Sequence, residues 1–111
     1  MNRLWIALIS LLILAACSSE PRPIVLGQDA CHHCKMTLMD PKFGAELVTD
    51  KGKIFIFDDV NCLMGYMDSE EGKNQIFKHV LVMDYLNPGT LIDANFAHYL
   101  KSPEFKTPMA S

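Results

Sequence analysis

A basic excess is missing from this chain: 10 Lys and Arg stand against 13 Asp and Glu, a formal net charge of −3. A nucleic-acid binder ordinarily shows such an excess or a basic stripe, so no nucleic-acid partner is expected. No apolar run approaches the ~20 residues that a permanent membrane-spanning helix needs. Internal repeats and low-complexity tracts are lacking too. At 111 residues there is room for one core and one compact site, not for a nucleotide-binding unit plus a substrate domain. What is present is half hydrophobic and 21% charged, which fits a folded domain rather than a disordered tail.

The N-terminus carries a short leader. Asn2 and Arg3 give a positive start, and Leu4–Ala16 is apolar but for Ser10. That run suits a signal-peptide core and is too short to span a bilayer. It ends Leu14-Ala15-Ala16-Cys17, which resembles the lipobox of bacterial lipoproteins. The resemblance implies removal of residues 1–16 and lipidation of Cys17. Processing would take away one cation, Arg3, and no acid, so the mature net charge becomes −4. Residues 17–23 are then the lipidated Cys and a polar, proline-bearing tether. Ser18, rather than Asp, after the lipidated Cys implies sorting to the outer membrane, on its periplasmic face. Residues 24–111 form the domain.

With Cys17 consumed by lipid, Cys31, Cys34 and Cys62 remain. A domain stapled in an oxidising compartment shows pairs, so an odd set leaves open one disulfide plus a free thiol, or thiolates serving another purpose.

Patterning predicts a small α+β domain with a largely antiparallel sheet and two helices. Ile24–Gly27 reads as a short strand and residues 28–35 as a polar loop. Ala45–Thr49 and Lys53–Phe57 flank Asp50-Lys51-Gly52, a hairpin signal. Both faces of the second of these strands are apolar, which suggests a central position. Asp58 or Asp59 would cap a helix over Val60–Asp68, with Val60, Leu63, Met64 and Met67 at helical spacing. Residues 69–74 read as loop, Val80–Leu86 and Leu91–Asp93 as strands around a turn at 87–90, and Ala94–Leu100 as a second helix capped by Asp93.

The chemistry concentrates in Asp29-Ala30-Cys31-His32-His33-Cys34-Lys35-Met36-Thr37-Leu38-Met39. Cys-x-x-Cys alone is shared by redox and metal sites. The overlapping Cys34-x-Met36 shifts the weight, because a thioether is a soft, neutral ligand that suits Cu(I) and does little for Zn²⁺. On an extended segment the two side chains would share a face. Met39, Met64 and Met67 are expected in the core, and His32 and His33 to tune the thiols or face solvent. His79 and His98 are expected to be ordinary surface or hydrogen-bonded residues, and Cys62 either a buried helix residue or a third thiolate.

Asp29-x-Cys31-x-x-Cys34-x-Met36, Gly44-Ala45-Glu46, Phe57-Asp58-Asp59-x-x-Cys62-Leu63-Met64, Ile92-Asp93-Ala94, Ala97-His98-Tyr99-Leu100 and Thr107-Pro108-Met109 together resemble the NosL family. Its members are lipoproteins of denitrifying and related bacteria, copper chaperones for nitrous oxide reductase. The resemblance implies a fold similar to the small ββαβ-type units of organomercurial lyase. It makes Cys34 and Met36 the Cu(I)-binding pair and Met109 a further ligand. Cys31 is matched in only part of the family. Family members usually continue past the Pro-Met with a small-residue strand, whereas this sequence ends at Ser111, which leaves a truncated and a short domain both open.

The expected function is therefore a membrane-anchored periplasmic Cu(I) metallochaperone, not an enzyme, that delivers copper to apo nitrous oxide reductase or a related cuproprotein. Its metal ligands are drawn from Cys34, Met36, Cys31, Met109 and Cys62. Two rivals stand beside it. One is a thiol–disulfide oxidoreductase using Cys31 and Cys34. The other is a structural zinc knuckle using the three Cys and one His, which leaves Met36 unexplained.

Overall fold

The computed structural model describes residues 2–14, 19–102, 104 and 107–108, with the side chains of 10–14 left aside. The apolar N-terminal segment forms helix α1 (Asn2–Leu14). No helix among the described residues is long and apolar enough to cross a membrane. The domain follows as β1 (Ala45–Thr49), β2 (Ile54–Phe57), α2 (Val60–Asp68), the one-turn α3 (Glu70–Lys73), β3 (Phe77–Met83) and β4 (Leu91–Asp93). The strands make one antiparallel sheet in the order β2-β1-β3-β4. This is the small α+β architecture the patterning predicts.

The β1–β2 hairpin closes through Gly52, whose φ of +87° is costly for any side chain. Thr49 binds Lys53 in both directions: its N–H donates to the Lys53 carbonyl and its Oγ1 accepts the Lys53 N–H, each at 2.9 Å.

Register assigns the two faces. Ala45, Leu47, Phe55, Phe57, Val80 and Val82 share one face, and α2 lays Leu63 and Tyr66 on it. The Tyr66 ring lies 5.0 Å from Phe55 and 5.4 Å from Phe57. Phe57 is fully buried, and burial of such a side chain contributes about 1.5–3 kcal/mol. The opposite face, with Glu46, Val48 and Leu81, is covered by the segment leading from residue 19 to the cysteine loop. The side chains of Ile24, Leu38 and Met83 converge there on Gly44.

Several expectations are corrected. β2 is an edge strand, not a central one; both its faces are apolar because α2 covers one and the N-terminal segment the other. Its open edge is partly closed by the cysteine loop, where the His32 N–H donates to the Ile56 carbonyl at 2.8 Å. Ile24–Gly27 is a turn rather than a strand. The Asp29 carboxylate accepts the Val25 N–H at 2.7 Å and folds the segment back, and Gly27 takes a φ of +79°. Residues 69–74 contain α3, because Ser69 ends α2 and its Oγ caps the Gly72 N–H. The third strand begins at Phe77 and stops at Met83, where Asp84 folds the chain by accepting the Leu86 N–H at 3.1 Å. Ala94–Leu100 is not helical. Asp93 caps a single turn at Asn95, and the Tyr99 hydroxyl donates to the Ala94 carbonyl that a helix would give to residue 98. Met39 and Met64 are 70% and 57% exposed, not core. The inward stripe of α2 is Cys62, Leu63 and Tyr66, which turns Met64 outward. Met67 packs half-buried against the core.

Candidate metal centre

Cys31 opens a tight turn between two backbone ties. Its N–H donates to the Met36 carbonyl at 2.8 Å, and the Lys35 N–H returns to the Cys31 carbonyl at 2.9 Å. Ala30 and Thr37 pair across the base of the turn. Lys35 sits at φ +68°, an unusual conformation for a non-glycine residue that lets the chain reverse just after Cys34. The Lys35 ammonium donates to the His32 carbonyl at 2.7 Å. This reversal overturns the geometric argument for Cys34 and Met36. The segment between them is not extended, so alternation along a strand does not align their side chains.

Cys62 arrives from the other side of the molecule. Asp59 caps α2, its Oδ1 accepting the Asn61 N–H at 2.7 Å and the Cys62 N–H at 3.1 Å. Of the two acids expected to compete for this cap, Asp59 takes it. The cap fixes the first turn of α2 so that Cys62 faces inward, 2% exposed. The result is a cluster: the sulfurs of Cys31, Cys34 and Cys62 all lie within 4.8 Å of one another, and all three thiols are free. Cys31 and Cys62 are buried and Cys34 is half-exposed, so the group is open on one side.

The three sulfurs are electrostatically unequal. Burial pushes the Cys31 thiol up, but this is outweighed by the N–H groups of Cys34 and Asp58, the Cys34 thiol and the His33 N–H, and the net shift is downward. The Cys34 N–H stands 3.4 Å from the Cys31 sulfur. Cys34 is raised, chiefly by burial, with the Met36 N–H opposing. Cys62 is raised strongly by burial and then by the negative character of Cys31, in spite of its place in the first turn of a helix.

Around the cluster, His32 is stacked among aromatics, 4.7 Å from the Phe55 ring and 5.0 Å from Tyr66, with its Nε2 3.8 Å from a Glu71 oxygen. His33 lies against α2, where a Cβ at Gly65 would come within 3.1 Å of its Nε2. Asp58 was legible only as a helix cap. Its actual place is beside Cys31, to which its N–H donates, with a buried carboxyl pushed up by burial and by the charges of Asp59 and Asp40. No pattern in the sequence marks that role. Met36 is 46% exposed on the rim of the loop, and its carbonyl and N–H are both spent on the two loop cysteines. Of the residues expected to bind metal, the fold brings together Cys31, Cys34 and Cys62. Met109, and Cys17, where lipidation is expected, lie outside the described residues.

The profile of the NosL family matches residues 24–111, the whole domain. The chain belongs to the NosL family. No curated protein and no solved structure gives a match. NosL proteins are copper-binding accessory proteins rather than a known enzyme family, and this NosL domain carries three close cysteines able to hold a metal ion. The geometry fits such an ion. With metal–sulfur distances of about 2.3 Å, three thiolates around one metal sit roughly 4 Å apart. The Cys-x-x-Cys turn opens no helix, unlike the setting that activates a redox cysteine pair.

Proposed function

We propose that this protein is a periplasmic Cu(I) chaperone, held to the outer membrane by lipid on Cys17, that hands its cargo to apo nitrous oxide reductase or a related cuproprotein. The observation that carries this reading is a NosL domain with a cluster of three sulfurs and, among the described residues, no His or carboxylate oxygen completing the set. Three soft thiolates suit Cu(I), which tolerates low coordination, whereas a structural zinc site is closed by a fourth ligand. Cys31, Cys34 and Cys62 would hold the ion, with the thioethers of Met36 and Met109 as further soft donors. The half-exposed Cys34 leaves a side from which a partner's ligand can attack before the first ligand departs. That is the requirement for transfer without releasing free copper.

Competition against a Cu(I)-specific chelator tests the reading on the reduced, processed chain. Each single Cys→Ser variant should lower Cu(I) affinity at least tenfold, Met36→Leu should lower it less, and Zn²⁺ should compete poorly. A preference for Zn²⁺, with Met36→Leu silent, favours the zinc-knuckle reading instead. Dithiol turnover lost equally in Cys31→Ser and Cys34→Ser, with Cys62→Ser unaffected, favours the oxidoreductase.

A further inference from the structure

The loop that carries Cys31 and Cys34 is closed on itself and on the segment before it. The Cys31 N–H reaches the Met36 carbonyl, the Lys35 N–H returns to the Cys31 carbonyl, and the Leu38 N–H donates to the Asp29 carbonyl at 2.9 Å. At its base the Gly27 N–H donates to the Leu38 carbonyl at 2.8 Å. These bonds keep the two loop cysteines together. Cys62 stands on α2, and none of them sets its distance from the loop sulfurs. That task falls to a residue between the two loop cysteines, His32.

His32 reaches out of the loop in two ways. Its N–H donates to the Ile56 carbonyl of β2 at 2.8 Å. Its half-buried ring lies tilted on Phe55 at 4.7 Å and edge-on to Tyr66 at 5.0 Å, with Phe57 6.4 Å away. Phe55 belongs to β2 and Tyr66 to α2, so one side chain bridges the strand and the helix that bears Cys62. Tyr66 lies one helical turn beyond Cys62 on the same inward face. The neighbouring His33 is exposed and only rests against Gly65. The His32 Nε2 stands 3.8 Å from a Glu71 oxygen, and no histidine nitrogen joins the sulfur cluster. The His32 ring therefore packs rather than coordinates.

We propose that His32 is the positioning residue of the metal centre: its ring, packed on Phe55 and Tyr66, holds the Cys31–Cys34 loop against α2 and so keeps both loop sulfurs within reach of Cys62. The proposal rests on the three-cysteine copper reading above. Without the ring, the loop keeps its internal hydrogen bonds but is free to lift from α2. The two loop sulfurs then stay together while the third is lost to them. A site already held in place loses little freedom when the ion arrives, whereas a loose one must be ordered at that moment. Each ring contact of this kind shifts an equilibrium by roughly two- to tenfold. Loss of His32 thus turns a three-sulfur site into a two-sulfur one with every ligand still present.

Two measurements test this, and the first needs no metal. In chains carrying Cys17→Ser and Cys31→Ser, Cys34 and Cys62 are the only thiols. Their disulfide is equilibrated with glutathione, one protein disulfide and two glutathiones exchanging for the protein dithiol and one glutathione disulfide. That equilibrium reads the effective concentration of one thiol at the other. His32→Ala should lower it at least fivefold. His32→Phe keeps a ring on Phe55 and Tyr66 but offers no nitrogen, and should hold it within twofold. The second measurement is Cu(I) affinity with all three domain cysteines present. His32→Ala should again cost at least fivefold and His32→Phe less than twofold. In the Cys62→Ser background, His32→Ala should change the affinity less than twofold, because there is no third sulfur left to position. A disulfide equilibrium unchanged in His32→Ala overturns the proposal. Equal copper losses in His32→Ala and His32→Phe overturn it by making the imidazole a ligand, and a full His32→Ala penalty without Cys62 overturns it by making the ring a general prop of the loop. If the disulfide equilibrium behaves as expected and the parent chain holds no Cu(I), the positioning role stands and the copper reading falls.

Discussion

Glu46 is a costly residue for this fold: a fully buried carboxyl in the middle of a sheet. One oxygen accepts the Arg22 N–H, while among the described residues Oε2 has no hydrogen-bond partner and neither does the buried His79 Nε2 on the adjoining strand. Burial pushes the Glu46 carboxyl up, opposed by the N–H and charge of Arg22. The folded state therefore holds this proton more tightly than the unfolded chain does. Its contribution to stability is full below the ordinary glutamate pKa of about 4.3 and is lost as pH rises through the folded pKa. Asp29 acts in the opposite sense. The Arg22 guanidinium, bound to it at 2.8 and 2.9 Å, pulls it down, so its contribution is lost as pH falls. The pair predicts a stability maximum at mildly acidic pH. Glu46→Gln keeps an acceptor for Arg22 and removes the charge, so it should add about 1 kcal/mol at neutral pH and flatten the decline on the alkaline side. Urea midpoints between pH 4 and 8 measure this; parallel curves for the two proteins would show that Glu46 does not titrate in that window.

Two glycines decide how the elements meet, and their substitution should have opposite outcomes. Gly65 faces His33, an exposed side chain on the loop that can shift by the few tenths of an ångström a Cβ requires. Helix propensity then decides the sign, and Gly65→Ala should stabilise by up to ~1 kcal/mol. Gly72 faces backbone, since a Cβ there would overlap the Tyr66 carbonyl and crowd the Met67 Cα. Nothing yields cheaply, so Gly72→Ala should destabilise by about 1–3 kcal/mol, with α3 displaced. Thermal denaturation of the two variants checks both signs. Elements built on local signals are the ones legible in the sequence: the hairpin at Asp50-Lys51-Gly52, helix Val60–Asp68 with its acidic cap, and strand Leu91–Asp93. Where a side chain intercepts a backbone group, pattern misleads, as at Asp29, Asp84 and Tyr99. Of the Val60/Leu63/Met64/Met67 stripe only Met64 turns outward, because the aromatic sheet surface centres the buried face of the helix on Cys62, Leu63 and Tyr66, with Val60 and Met67 at its margin. The same choice put Cys62 within reach of the loop, which spacing alone left open.

At the scale of the whole molecule, the three cysteines tie together parts of the chain that only folding unites. Cys31 and Cys34 are neighbours in sequence, so they could hold a metal ion in the unfolded chain nearly as well as in the native one. A ligand that binds both states equally adds no stability. Cys62 lies far along the chain, and only the capped start of α2 brings it to within 4.8 Å of the other two sulfurs. Stabilisation by the metal is thus a specific reading of Cys62 participation. With free Cu(I) buffered at 100 times its dissociation constant, the native state gains at most about 2.7 kcal/mol, less whatever the loop pair gains by binding in the unfolded chain. For a domain of this size that sets an upper bound of roughly 10–20 °C on the Tm rise. Cys62→Ser should keep part of the Cu(I) binding through the loop pair but lose most of the Tm rise, while Cys31→Ser and Cys34→Ser lose both. Circular dichroism melts of the reduced proteins, with and without buffered Cu(I), separate these outcomes. A Tm rise in Cys62→Ser as large as in the parent chain would remove Cys62 from the ligand set and leave the cluster as packing around a two-cysteine site.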